Sequence, residues 1–420
     1  MIIEIRAKNC FVFEEEISFS MKADMRNKKF ASNVHRENNF NVLKTVGVYG
    51  PNNVGKTCLV KCIRAIKHVL LDKKSGLVPN IFSDNEVCQL GVTFLAYGRK
   101  FSYDFWYNAK TNEYVYESFS EMLKDHYGNE KEVNWLKRDT INDVYYCTDE
   151  DVQAMMAIIS KNNLFCYLVD ISKFECLKEM RDILVGFAEK IDIINMNNIP
   201  MKHTIELMKN RNNLQEKIVE FIKNADLYMD DFKYVDVDKI QVKASDEEER
   251  PEEKALDIPE NIMDQIRLVS TYKGVHVPSM LFDSTGTKKI AAIASYVIEA
   301  LEEGRFLVVD ELDSSIHFKL TRAIVALFNN ELNTSAQMIF TVHDINLMDC
   351  KEQIWFVHKD EEGVYVYSLA DFTAQEGVRD TTDVMEKYRK GALGALPDPE
   401  LIKSLLSIKG NAKGVMADAE

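Results

Sequence analysis

The run GPNNVGKT, Gly50–Thr57, places two glycines, a lysine and a threonine in the pattern G-x-x-x-x-G-K-T. The glycines allow a tight turn whose backbone N–H groups surround an anion, and the lysine adds a cation. A hydroxyl directly after that lysine is a ligand for a hard metal ion. Gly50, Asn52, Asn53, Gly55, Lys56, Thr57 and Cys58 are therefore the candidate phosphate-binding residues. Lys56 would reach the β- and γ-phosphates, and Thr57 would take a place on Mg²⁺. Further along, FLVVDE ends an apolar run with Asp310 and Glu311. An aspartate at the carboxyl end of a buried strand can hold Mg²⁺, and a second carboxylate beside it can act as general base toward an attacking water. QMIFTVHD brings His343 to the end of another apolar run, where it could donate a hydrogen bond to a γ-phosphate. A second glycine turn, Ser284 and Gly286 in LFDSTGTKKI, lacks the lysine–hydroxyl pair of the first.

These residues need elements to hold them. LKTVGVYG reads as a β-branched strand running into the first turn, and TCLVKCIRAIKHVLL as a helix with Leu59, Cys62, Ile63, Ile66 and Leu70 on one face. RFLVVDE, QMIFTVH and QIWFVH are three further short apolar strands, with LTRAIVALFNNEL as a helix between the first two. Strands alternating with helices imply a largely parallel sheet covered on both faces. A helix from about Lys288 ends at Gly304.

The remainder divides by periodicity. IIEIRAKNCFVFEEEISFSM alternates like a hairpin or two short strands, and 87–118 like an antiparallel sheet. From about 150 to 231 the apolar spacing moves toward 3.6, giving a helical insertion. The expected organisation is 1–149 for the β lobe and phosphate loop, 150–242 for the insertion, 243–260 for an acidic linker around SDEEERPEE, 261–408 for the second half of the head, and 409–420 for a flexible tail. The fold class is α/β, a mixed sheet with an antiparallel β lobe and a helical insertion.

Composition sets outer limits. The chain has 420 residues, 46% hydrophobic and 28% charged, the balance of a globular protein. No apolar run approaches the length of a membrane span. The opening residues lack the layout of a signal peptide, and the eight cysteines are scattered, so a cytoplasmic location with reduced thiols is expected. A net charge of −15 repels nucleic acid on average, although a local basic groove stays open.

YGPNNVGKT, LVVDELDSSIH, IFTVHD and FDSTGTKKI together resemble the ABC-type ATPase superfamily, the branch with the RecF, Rad50 and SMC heads. Within it they are most similar to AAA15/AAA21-type ATPases related to the overcoming-lysogenization-defect proteins of anti-phage defence. FIKNADLYMDDF and KYRKGALGALPD add to the likeness, which covers most of the chain. The resemblance implies a P-loop ATPase head that binds ATP and Mg²⁺ and closes as a homodimer. In such a pair the Ser284–Gly286 turn contacts the γ-phosphate held by a second subunit, so each of two composite sites draws on both chains. Asp283 departs from the family's frequent glutamate and Phe318 from its common proline, and the family's glutamine loop has no assigned counterpart. His317 and Asp313 fall near the same subunit face.

Two functions fit these residues. One is the ATPase switch of an abortive-infection system controlling a separate nuclease or toxin, because only 77 residues follow His343 (420 − 343), too few for a nuclease domain of the related proteins. The other is a compact RecF-like repair ATPase. The chain has no sustained heptads for a long coiled coil of the Rad50 or SMC kind.

Overall fold

The computed structural model describes residues 1–23, 31–38, 40–124, 130–168, 173–210, 212–225, 228–235, 264, 266–347, 353–361, 363–372, 384–390 and 393. The acidic stretch 245–253 and the tail 409–420 lie outside the described residues, as does most of KYRKGALGALPD.

A six-stranded sheet carries the chemistry. Its order is Ile191–Asn195, Phe306–Asp310, Gln337–Thr341, Thr45–Tyr49, Ile354–Lys359 and Val364–Ser368. The first five run parallel and only the last pair is antiparallel. Thr45–Tyr49, Phe306–Asp310 and Gln337–Thr341 are buried at every position, as strands covered on both faces must be. The two faces feed separate cores, because successive side chains point to opposite sides of a strand. Phe306, Val308 and Ile339 join the core that includes the phosphate-loop helix Lys56–Leu70. Leu307, Val309, Met338 and Phe340 join the core under the helices Thr285–Glu303 and Phe318–Phe328.

The antiparallel lobe is a seven-stranded sheet ordered Val144–Cys147, Glu130–Asp139, Glu113–Lys124, Arg99–Asn108, Val87–Ala96, Ile2–Lys8 and Ile17–Ser20. It shares its core with the phosphate-loop helix, through residues such as Ile5, Phe19, Phe94 and Leu59. The expected hairpin at the start is present, with Ile5 opposite Phe19.

Among the described residues of 150–235 the helices fall into two parts. Glu150–Met156 and Glu175–Glu189 precede Ile191–Asn195, a strand of the main sheet, and Lys202–Asn210 and Asn212–Asn224 follow it. Phe187, Ile191 and Ile194 fall at spacings of four and three, so the strand continues the apolar rhythm of the helix before it and is hidden by it. The second pair of helices packs with the strands Asp231–Tyr234 and Leu268–Tyr272 against Ala291, Ala292 and Ala294 of the helix Thr285–Glu303. That helix is thus gripped on two sides. It starts three residues earlier than its sequence suggests, with Ser284 as N-cap, and ends at Gly304 in the left-handed region at φ 64°.

Candidate functional site

The phosphate loop connects the strand Thr45–Tyr49 to the helix starting at Lys56. Gly50 has φ 148°, and a Cβ there would sit 2.4 Å from the carbonyl oxygen of Val357, so no other residue fits. Asn53 takes a left-handed conformation at φ 64°, and both Asn52 and Asn53 are exposed at the tip. Gly55 precedes the helix, and the Cys58 N–H bonds its carbonyl at 2.9 Å, closing the first turn. Cys58 and Cys62 line the helix as half-buried and buried thiols.

Lys56 is buried, and its ammonium donates to the carbonyls of Gly50 at 2.5 Å and Pro51 at 2.8 Å. Burial lowers its pKa to about 8, with Asp313, Asp310 and Glu311 pulling the other way. His343 Nδ1 stands 3.5 Å from the Lys56 ammonium. An ammonium has no acceptor, so Nδ1 must be the unprotonated ring nitrogen, which leaves Nε2–H free to donate. Partial removal from water and then the charge of Lys56 lower the His343 pKa below its ordinary value, favouring this neutral form.

Thr57 donates its hydroxyl to Asp310, 3.1 Å from Oδ2 and 3.3 Å from Oδ1. Asp310 is buried at the end of its strand. It also accepts from the Thr341 hydroxyl at 2.7 Å and from Asn195 Nδ2 at 2.9 Å. Thr341 turns the other way to accept the Glu311 N–H at 2.8 Å, fixing the backbone where Glu311 enters the left-handed region at φ 58°. The Glu311 carboxylate accepts from Asn197 Nδ2. Asp313 accepts the N–H groups of His343 and Asp344, both at 2.9 Å, and so clamps the two strand-end loops together.

Lys56, Thr57, Asp310, Glu311 and His343 therefore converge at the carboxyl ends of three neighbouring strands, the place where parallel sheets bind ligands. Thr57 and Asp310 offer a metal only oxygen atoms, and among the described residues no group of three or more His, Cys, Asp or Glu gathers as a metal cage. Such a set suits Mg²⁺, which takes one or two protein oxygens and completes its shell with phosphate and water. Asn195 and Asn197 were not legible in the sequence. Their only signal is that an Asn-x-Asn follows a short apolar run.

The Ser284 turn lies elsewhere on the surface. Ser284 is exposed, and its hydroxyl caps the helix by accepting the Thr287 N–H at 3.1 Å. Asp283, behind it, is buried and accepts from the Ser270 and Ser279 hydroxyls at 2.6 Å each and from Tyr272 at 2.8 Å. Those bonds anchor the turn. A Cβ on Gly286 would stand 3.3 Å from the carbonyl oxygen of Ser315, a tight approach that glycine permits. Among the described residues no hydrogen bond joins this turn to Gly50–Thr57. His317 has a local task, accepting the Lys319 N–H as cap of the helix Phe318–Phe328.

A phosphate loop on one strand, a carboxylate pair two strands away and an antiparallel lobe over the loop helix give the α/β arrangement of a P-loop nucleotide-binding fold and resemble an ABC-type ATPase head. Residues 197–349 match the family model described as "AAA domain, putative AbiEii toxin, Type IV TA system", in line with the AAA21-type resemblance of the motifs. Solved structures that align with the chain include an SMC head domain from Thermotoga maritima, at 11% identity over 87% of this chain and 98% of that one, with a TM-score of 0.43. Another is an SMC head bound to the C-terminal winged-helix domain of ScpA, at 12% identity over 90% of this chain and 99% of that one, with a TM-score of 0.48. Among curated proteins none matches in sequence. Among the described residues no helix is long and apolar enough to cross a membrane.

Proposed function

We propose that this protein is a Mg²⁺-dependent ATPase that works as a nucleotide-gated switch, closing as a head-to-tail homodimer around two ATP molecules. The convergence of Lys56, Thr57, Asp310, Glu311 and His343 carries this reading. Gly50, Asn52, Asn53, Gly55, Lys56, Thr57 and Cys58 wrap the phosphates. Thr57 and Asp310 would hold Mg²⁺, which when bound neutralises phosphate charge. Glu311 takes a proton from the attacking water, and His343 donates to the γ-phosphate from Nε2–H. Ser284 and Gly286 present an exposed helix N-terminus to the γ-phosphate held by the partner. Hydrolysis removes the bridging charge and lets the pair open.

The toxin and toxin–antitoxin wording of the matching family supports placing this switch in bacterial anti-phage defence, acting through a separate effector nuclease or toxin. The direct test is gel filtration of Glu311→Gln with and without Mg-ATP. A shift to dimer only with nucleotide supports the switch, and a monomer in both runs removes it. For the biological role, cells carrying the locus would be challenged with phage. Protection that Lys56→Ala leaves intact would remove the defence assignment.

A further inference from the structure

Both site carboxylates are held by one short turn. Asn195 accepts the Asn197 N–H on Oδ1 at 2.8 Å, and its Nδ2 donates to Asp310. Asn197 donates from Nδ2 to Glu311 and accepts the Ser314 hydroxyl on Oδ1 at 2.5 Å. Ser314 Oγ in turn lies 3.3 Å from the ammonium of Lys289, which also reaches Ser315 Oγ at 3.2 Å and the Ser314 carbonyl at 3.4 Å. Lys289 is 8% exposed, and among the described residues no carboxylate is within ion-pair distance of it. It belongs to the helix that Ser284 caps.

The polarity of this chain is fixed from both ends. An ammonium only donates, so the single Ser314 proton must point away from Lys289, toward Asn197 Oδ1. A carboxylate only accepts, so the Asn197 amide must turn its N–H₂ to Glu311. The two requirements agree on one amide orientation, which the network decides. From Lys289 through Ser314 and Asn197 to Glu311, every donor meets an acceptor. The loop between Glu311 and Ser315 has left-handed residues at both ends, φ 58° and 63°, which gives it a defined shape.

We propose that Lys289, Ser314 and Asn197 are positioning residues that aim the Glu311 carboxylate from the Ser284-capped helix, linking the two half-sites of one chain. The inference rests on the reading of Glu311 as base and of the Ser284 turn as the half-site for the partner's nucleotide. When that turn seats on the partner's γ-phosphate, the helix carries Lys289 with it. The hydrogen-bonded chain then sets Glu311 over the protein's own nucleotide. Hydrolysis at one site thereby depends on engagement at the other.

The test is steady-state and single-turnover ATP hydrolysis by the full chain with Mg²⁺. Asn197 is exposed, so its truncation spares the fold. Asn197→Ala and Ser314→Ala should each lower kcat about tenfold or more, with KM and ATP affinity within about twofold, as expected for lost charge-assisted contacts. Lys289→Met should do the same and Lys289→Arg, which keeps a donor, should recover most of the loss. In the residual turnover of Glu311→Gln, adding Asn197→Ala should cost less than about twofold, because residues acting as a unit are not additive. A full tenfold loss in that background, or unchanged kcat in Asn197→Ala alone, overturns the inference and leaves the base assignment standing. Wild-type turnover in Glu311→Gln alone instead removes the base assignment itself.

Discussion

The Thr57 hydroxyl lies 3.1 Å from a carboxylate oxygen of Asp310, although 253 residues separate the two in the chain. Only the parallel sheet makes this possible. Its order places the strand Gln337–Thr341 between theirs, and Thr341 of that strand bonds Asp310 as well. The metal position proposed here is therefore a product of strand register, and disturbing the register should disturb the site.

Thr341→Val tests that dependence. The change keeps shape but leaves the Glu311 N–H without its partner and removes the shorter of the two bonds to Asp310 Oδ1, in a position fully buried. A buried group left unsatisfied costs about 1–3 kcal/mol. A lower melting temperature together with weaker Mg-ATP binding is expected. Stability equal to wild type would contradict the role given to this hydroxyl.

Nucleotide binding should depend on pH through Lys56. Burial holds its ammonium near pKa 8, and a polyphosphate raises that value again by favouring the charged form. Well below pH 8 the lysine is already charged in the free protein, and affinity is flat. Above pH 8 binding must take up a proton, and affinity falls by up to about tenfold per pH unit until the bound-state pKa is passed. Calorimetry at pH 7 and pH 9 in two buffers of different ionisation enthalpy reads both the affinity and the proton uptake. No uptake at pH 9 would count against the assignment.

Glu311→Gln should bind ATP normally and hydrolyse it roughly 10²–10⁴-fold more slowly, the range for losing a general base. Rapid-quench measurement of a single turnover separates that loss from slow product release.

Shared sites predict complementation. Lys56→Ala lacks its own phosphate grip, and Ser284→Arg cannot engage the partner's nucleotide. Each alone should be inactive. Mixed in equal amounts they should regain turnover, at most roughly a quarter of wild type, since about half the dimers are mixed and each contains one complete site; without engagement at its second site that complete site runs about tenfold slower, as Asn197→Ala does. A mixture as inactive as its parts, with both proteins folded, would argue for sites built within single chains.

Much of this arrangement is legible in sequence because the residues that build it are chemically loud. The glycines and Lys56 of the phosphate loop have a fixed spacing, and FLVVD and QMIFT are apolar runs too short for helices. Other features are silent. Ile191–Asn195 borrows the period of the preceding helix, so the sheet's edge strand and the two asparagines after it do not stand out. The helix Thr285–Glu303 opens with Thr-Gly-Thr, residues of low helix propensity, and lacks an acidic residue three positions after Ser284 to complete a capping box. Its start is therefore misread by three residues. The bonds from Asp283 to Ser270, Ser279 and Tyr272 depend on tertiary packing and have no signal in the sequence at all.

The placing of Thr45–Tyr49 between Gln337–Thr341 and Ile354–Lys359 has a consequence for biosynthesis. That strand leaves the ribosome 288 residues (337 − 49) before its first partner is made. At ordinary elongation rates the gap is roughly 15–60 s. The N-terminal lobe has all its strands by residue 147 and can close early, yet it must wait with an unpaired apolar strand beside it. Nascent chains are thus exposed to sticking through this strand, and a holdase chaperone during translation should raise the yield of soluble protein more than one added after release.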